Sequence, residues 1–204
     1  MRVLQQNDTV NAILAEARKM IDERGEAGVR VAELADRCNV AVGLLYHYFK
    51  DRQELIAEVR ARQFIEIVDT DITRVSDDMN PQTTVEGLLV MAVDSFGASL
   101  TDAVRRSSRW QRVAILAATE HNERLRERIA EEQARASSQL TDLLRDGQAK
   151  GIIRNDVDPK ALALLIESVP LGTVLADLSP STAPSQEAWM QVIDLVLRTF
   201  APQS

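Results

Sequence analysis

The run V-A-E-L-A-D-R-C-N-V-A-V-G-L-L-Y-H-Y-F-K-D-R at residues 31–52 limits the fold more than any other stretch. It reads as two short helices around a tight turn, followed by the start of a third. In the first, over residues 31–38, Leu34, Ala35 and Cys38 fall at i, i+1 and i+4, one face of an α-helix. Asn39 and Val40 make the turn, because asparagine tolerates the left-handed backbone that a short turn needs. The second helix, over residues 42–48, buries Leu45 and presents Val42, Gly43, Leu44, Tyr46, His47 and Tyr48 elsewhere. Two tyrosines and a histidine on the outer side of so short a helix do not suit a core element. They suit the second helix of a helix-turn-helix, which enters a DNA major groove.

Aromatic residues are 4% of the chain and strand formers never alternate cleanly along it, so an all-α fold is expected. The 204 residues, 45% hydrophobic and 27% charged, suffice for a real core and have ordinary soluble globular composition. A net charge of -7 argues against bulk electrostatic binding of nucleic acid. Its distribution is uneven, however. Residues 1–60 hold nine Lys/Arg against ten Asp/Glu, whereas residues 61–204 hold 15 against 21, so most of the acidity lies outside the proposed reader. One cysteine, Cys38, excludes an intrachain disulfide and a multi-cysteine metal site, as suits a reducing cytoplasm. On the inward face of its helix it reads as a small core residue. The N-terminal M-R-V-L-Q-Q-N-D-T-V lacks the apolar run and cleavage site of a signal peptide. The most apolar stretch, residues 161–178, is interrupted by Glu167, Pro170 and Asp177; it makes a poor membrane span and a plausible buried helix.

Along the chain, Asp8 or Thr9 is expected to cap a first helix that Gly25 stops. Asp51, with Glu54 three residues on, predicts a near capping box at the start of a long helix reaching about Val75. The domain boundary is placed inside that helix, giving residues 1–60 and 61–204. A break is expected over residues 76–83. Further helices are expected over about 81–100 and 103–119, the latter continuing past His121 without a clear stop. A charged helix then runs to Lys150 and Gly151. Asp158 as cap and Pro159 at the first helical position open the next, with a bend at Pro170, and a last helix covers about 186–200. The 161–178 helix is apolar nearly all round, and Trp189, Val192, Ile193, Val196, Leu197 and Phe200 make a broad stripe on the last. A deep monomer core would cover both. A homodimer through helices at about 159–178 and 186–200, meeting in a four-helix bundle, covers them more readily.

With those residues in view, the chain resembles the tetracycline-repressor (TetR) family of bacterial transcriptional regulators. The resemblance rests on Ala17, Gly25 and Gly28, L-A at 34–35, and N-V-A-V-G-L-L-Y-H-Y-F-K-D-R-Q-E-L at 39–55, about a quarter of the chain. It implies an N-terminal three-helix DNA-binding domain and a C-terminal helical domain for ligand binding and dimerisation. It further implies a cytoplasmic repressor, dimeric on a pseudo-palindromic double-stranded operator and released by a small molecule. By position, Val42, Gly43 and Leu44 would approach base edges, and Tyr46 and His47 would touch phosphate or bases. Lys50 and Arg52 would meet phosphate beside the next helix's N-terminus, itself an anion site. Three positions depart from the family's usual pattern. Arg30-Val31 stands where a capping Thr is common, with Arg30 offering a charge-assisted phosphate contact instead. Ala41 replaces a capping Ser, and Leu44 a frequent Thr.

Catalysis finds no support: there are two histidines, no nucleophile motif and no phosphate loop, and no metal or cofactor is expected. Asp156 and Asp158 flank a helix start, where capping suffices. If the helix through His121 is continuous, Trp110, Ala114, Ala117 and His121 share one face. That face either lines a ligand cavity, with Met91, Ser95 and Phe96 opposite, or belongs to an ordinary core with His121 at a helix end. Arg105, Arg106, Arg109 and Arg112 form a basic cluster that reads first as a solvated face, paired with Glu127, Glu131 and Glu132 or open to an anionic ligand. The rival to a DNA-binding regulator is a dimeric helical adaptor without specific DNA binding.

Overall fold

In the computed structural model, which describes residues 2–78 and 85–202, the backbone is helical and, among those residues, forms no strand. Two compact units emerge: residues 1–64 with 118–129, and residues 65–117 with 130–204. The first division, between residues 64 and 65, falls inside a long helix. The chain crosses again at 117–118 and at 129–130, the last with no composition shift to announce it.

The first unit contains α1 (Arg2–Arg24), α2 (Val31–Arg37), α3 (Val42–Tyr48) and the start of α4 (Arg52–Asp78). Helix α1 begins at Arg2 rather than at Asp8 or Thr9. No proline or glycine precedes Gly25, and the weak helix propensity of Asn7, Asp8 and Thr9 amounts to only tenths of a kcal/mol each. Gly25, at φ 71°, stops it as expected, its N–H donating to the Ile21 carbonyl at 2.8 Å. A short 3₁₀ turn, Glu26–Gly28, leads to α2. Ile13, Leu14, Ala17, Met20 and Ile21 of α1 pack with Val29, Leu34, Ala35, Leu45, Phe49, Leu55, Ile56 and Val59 in one buried cluster. Cys38 is half-buried against it, its thiol pKa pushed up chiefly by that burial. Asn39 takes φ 53°, the left-handed turn position predicted for it.

Residues 118–129 join this unit through a 3₁₀ turn, Thr119–His121, and the first residues of α7 (Glu123–Ala149). The expected run of helix past His121 is therefore broken after α6 (Ala103–Ala118). The Asn122 side chain accepts the Leu125 N–H at 3.1 Å and so caps α7, closing one helix and opening another. Arg124 lies 3.4 Å from Glu54, and Arg128 3.7 Å from Glu58.

The second unit holds α5 (Val85–Thr101), α6, most of α7, α8 (Pro159–Gly172), α9 (Val174–Leu178) and α10 (Gln186–Arg198). The break expected over 76–83 is helical through Asp78, and the rest of it, with the helix start at Pro81, lies outside the described residues. Asp158 caps α8 through the N–H groups of Lys160 (2.7 Å) and Ala161 (3.0 Å), with Pro159 at the first position. These two backbone donors hold the Asp158 carboxyl below its ordinary pKa. Pro170 stays inside α8; the helix is interrupted at Thr173, whose hydroxyl donates to the Pro170 carbonyl at 2.7 Å. Gln186 begins α10 after Ser185, whose Oγ accepts the Ala188 N–H at 3.2 Å.

Helices α5 and α10 pack along one another, and two residues make the approach possible. Trp189 Nε1 donates to the Phe96 carbonyl at 3.0 Å, and Gly97 leaves room for Met190. A Cβ at position 97 would lie 2.5 Å from Met190 Cγ and 2.9 Å from its Sδ, inside van der Waals contact, so the Met190 side chain would have to move as a whole. Gly97→Ala is expected to destabilise the chain by about 1–3 kcal/mol through overpacking. Thermal melts check it, and Met190→Ala in the same chain should return part of the loss.

Candidate nucleic-acid interface

Helix α3 is held from behind by Leu45, buried at its centre, and by Phe49 just after its end. Tyr48 also packs on the core, so it is not among the outward groups. What remains outside is a compact surface: Val42, Gly43, Tyr46 (53% exposed) and His47, with Leu44 half-buried beside them. The His47 ring meets Tyr48 edge-on at 5.3 Å, which ties the imidazole to the helix surface. A Cβ added at Gly43 would meet nothing within 4 Å, so its lack of a side chain is not required by the protein's own packing. Neither Arg30 before α2 nor Ala41 before α3 makes a side-chain capping bond, as the two departures predict.

Arg30 and Lys50 are exposed, but Arg52 is not deployed as the sequence suggested. Its Nε donates to the Val29 carbonyl at 2.8 Å and its Nη2 to the Glu26 carbonyl, so the guanidinium faces the 25–30 turn. The N-terminus of α4 likewise differs from the predicted anion site. Asp51 Oδ1 accepts the Glu54 N–H at 2.8 Å, and the Glu54 carboxylate accepts the Lys50 N–H at 2.6 Å. This is the near capping box expected from sequence, and its two carboxylates already occupy the positive end of the helix.

The profile described as "Bacterial regulatory proteins, tetR family" matches residues 13–59, and that described as "Tetracyclin repressor-like, C-terminal domain" matches 114–192. The chain belongs to the TetR family. No curated protein matches it. Solved structures of similar fold include a TetR-family regulator from Cytophaga hutchinsonii (14% identity, 98% of each chain, TM-score 0.69). Others are the Bacillus subtilis regulator FadR in complex with stearoyl-CoA (21% identity, 91% of this chain and 96% of that one, TM-score 0.57) and a Saccharomonospora viridis protein in complex with choline (18%, 94% and 96%, TM-score 0.63).

In this TetR-family chain the residues proposed for a cavity are divided between the two units. Met91, Ser95 and Phe96 lie half-buried on α5. Trp110, Ala114 and Ala117 form an exposed stripe on α6, and the His121 side chain, in the other unit, is 85% exposed. A groove of about 320 Å³ runs between α7 and α8, lined by Thr141, Arg145, Lys160, Ala163, Leu164 and Glu167 among others. Its charges are largely answered within the protein. Glu167 accepts from Ser137 Oγ (2.9 Å) and Gln133 Nε2 (3.1 Å), and Arg145 donates to Asp142 at 2.7 Å.

The arginine cluster on α6 is the larger correction. Arg109 and Arg112 are buried and Arg105 half-buried, so only Arg106 keeps the solvated position expected of the whole cluster. Arg109 is buried and grips Asp177 of α9 with both arms of its guanidinium, Nε to Oδ2 at 2.8 Å and Nη2 to Oδ1 at 2.6 Å, while its Nη1 donates to the Ser99 carbonyl. Arg106 adds a second cation 2.9 Å from Asp177. Arg105 donates to the Ser95 carbonyl, and Arg112 pairs with Asp71 at 3.7 Å and with Gln133 at 3.3 Å. The guanidinium of Arg109 first, then its charge with that of Arg106, holds the Asp177 carboxyl below the usual carboxylate range. Sequence missed this pair because its members stand 68 residues apart, with no local spacing to mark them.

The stretch Pro159–Leu178 is long and apolar enough, at mean hydropathy 1.7, to cross a membrane, yet interrupted at Thr173 and anchored by the buried Asp177. A subunit-interface helix passes the same test of length and composition.

Proposed function

We propose that this TetR-family chain is a ligand-responsive repressor, dimeric on a pseudo-palindromic DNA operator and released by a small molecule. The observation that carries the DNA-binding half is the outer face of α3, where an apolar corner and two polar rings stand on a helix anchored by Leu45. In this reading Val42, Gly43 and Leu44 approach base edges, with thymine methyl groups the natural apolar partners. Tyr46 and His47 hydrogen-bond to phosphate or bases, and Arg30 and Lys50 meet phosphate. The dimer is supported by the exposed Leu164, Leu165, Leu175 and Leu178 of α8 and α9 and Val192, Leu195 and Val196 of α10, more apolar surface than a lone chain normally shows. Two readers related by a twofold axis read half-sites about 34–36 Å apart, or a multiple of that. Complexes of structural neighbours with stearoyl-CoA and with choline support a small-molecule effector while differing widely in its chemistry. Such an effector releases DNA only by binding one arrangement of the protein better than the other.

A gel shift with the DNA flanking its own gene tests the reading. Wild type is expected to bind that DNA in preference to random duplex. Tyr46→Ala should weaken specific binding by about 1–3 kcal/mol per half-site. Lys50→Ala should instead weaken all sequences alike and lower the slope of log K against log[salt] by about 0.9 per protomer. Absent or sequence-independent binding would favour the helical adaptor.

A further inference from the structure

The recognition unit contains a hydrogen-bonded clamp that its phosphate-facing residues do not explain. Arg52, the first residue of α4, reaches two carbonyls of one turn, those of Val29 and Glu26. From further along the same helix, Arg60 Nε donates to the Glu26 carboxylate at 2.8 Å, and Arg60 Nη1 to Gln63 Oε1 at 2.9 Å. The gripped turn is short, with two backbone hydrogen bonds of its own, Gly28 N–H to the Gly25 carbonyl (3.0 Å) and Val29 N–H to that of Glu26 (3.1 Å). It opens at Gly25, in the left-handed region, and passes through Gly28, where a Cβ would lie 2.6 Å from Arg24 Cβ. The turn also positions α2, because Val29 is buried and the adjacent Arg30 is the exposed residue at that helix's start.

We propose that Arg52 is a positioning residue for DNA binding and not a phosphate ligand: it fixes the 25–30 turn and thereby the place of Arg30 and the start of α2. The inference rests on the DNA-binding reading above and assigns Arg52 a different task from the one its charge suggests. The geometry separates the two tasks. A phosphate ligand needs only a cation at position 52. A clamp needs the planar fork, which presents two N–H groups to two carbonyls at once, and a lysine offers one compact donor in its place.

Wild type, Arg52→Lys, Arg52→Met, Arg30→Ala and the Arg30→Ala/Arg52→Met double variant are compared in two measurements. In amide exchange without DNA, both Arg52 variants should exchange at residues 26–31 on the order of tenfold faster, with the α1 core unchanged. In binding to a random-sequence duplex across a salt series, well below the melting temperature, Arg52→Lys should fail to restore what Arg52→Met loses. The double variant should bind like Arg30→Ala alone, since Arg52 acts through Arg30. The proposal is overturned if lysine restores wild-type affinity, or if the two single losses add and each lowers the salt slope by about 0.9. Unchanged exchange in the turn overturns it as well. If wild type binds no duplex at all, the DNA-binding reading falls. The exchange data need no DNA, so they tell that failure from failure of the clamp.

Discussion

Asp177→Asn should lower the stability of this chain by about 3–5 kcal/mol, the usual loss when one member of a buried ion pair is removed. For a protein of this length that corresponds to a fall in Tm on the order of 10 °C. The reason is what remains behind. Arg109 is 4% exposed, and without the carboxylate its charge is left among a backbone carbonyl and a second cation, Arg106. Asparagine matches the shape of the side chain and can still accept one hydrogen bond, so the loss isolates the charge. Replacing both partners together, as Arg109→Met with Asp177→Leu, should recover most of the stability: the Ser99 carbonyl loses a donor and the exposed Arg106 a partner, but no buried charge is stranded. A pH series gives the sign. The folded-state pKa of Asp177 is depressed, so its contribution is fully present above the unfolded value of about 3.9 and is lost as pH falls through the lower folded value. The gap between wild type and Asp177→Asn should therefore be widest near neutrality and close below about pH 4. A gap that stays constant into acid would mean that the carboxylate charge is not what stabilises α9.

The recognition unit was legible because its signals are local. Asn39 announces a left-handed turn, Leu34, Ala35 and Leu45 fall on inward positions, and Asp51 with Glu54 marks a helix start. The break after Ala118 also has a local signal, which periodicity overrides. Asn122 followed by Glu123 is a capping residue with an acidic first turn, a start signal inside what periodicity alone reads as one helix. Trp110 and His121 share a face only along a continuous helix, so periodicity no longer places those two together. Other features have no local signature. A charge at position 52 looks the same in sequence whether it meets a phosphate or two carbonyls. Arg109 and Arg106 stand in a basic run that is solvated on most helices, and only the fold brings Asp177 to them. Long-range electrostatics, rather than patterning, is what the sequence of the regulatory unit conceals.

The largest effect on assembly is expected from a charge placed on the outer face of the terminal helices. Leu164 and Leu195 are 65% and 67% exposed in the single chain, so substitution at either should leave protomer folding within about 0.5 kcal/mol of wild type. In a homodimer closed by α8 and α10 the same positions are buried, and the twofold axis places each substitution in the interface twice. Leu195→Arg then introduces two desolvated cations, each costing about 2–5 kcal/mol. The sum raises the dimer dissociation constant by at least about a thousandfold, since each 1.4 kcal/mol is tenfold. Sedimentation should show wild type as a dimer and Leu195→Arg as a monomer of unchanged helicity, with Leu164→Arg behaving alike. Operator binding should fall with the dimer, because one reader engages one half-site. A conservative Leu195→Met, which keeps the apolar contact, should retain both. If Leu195→Arg sediments as wild type does, α10 is not at the subunit interface, and its exposed Val192, Leu195 and Val196 require another partner.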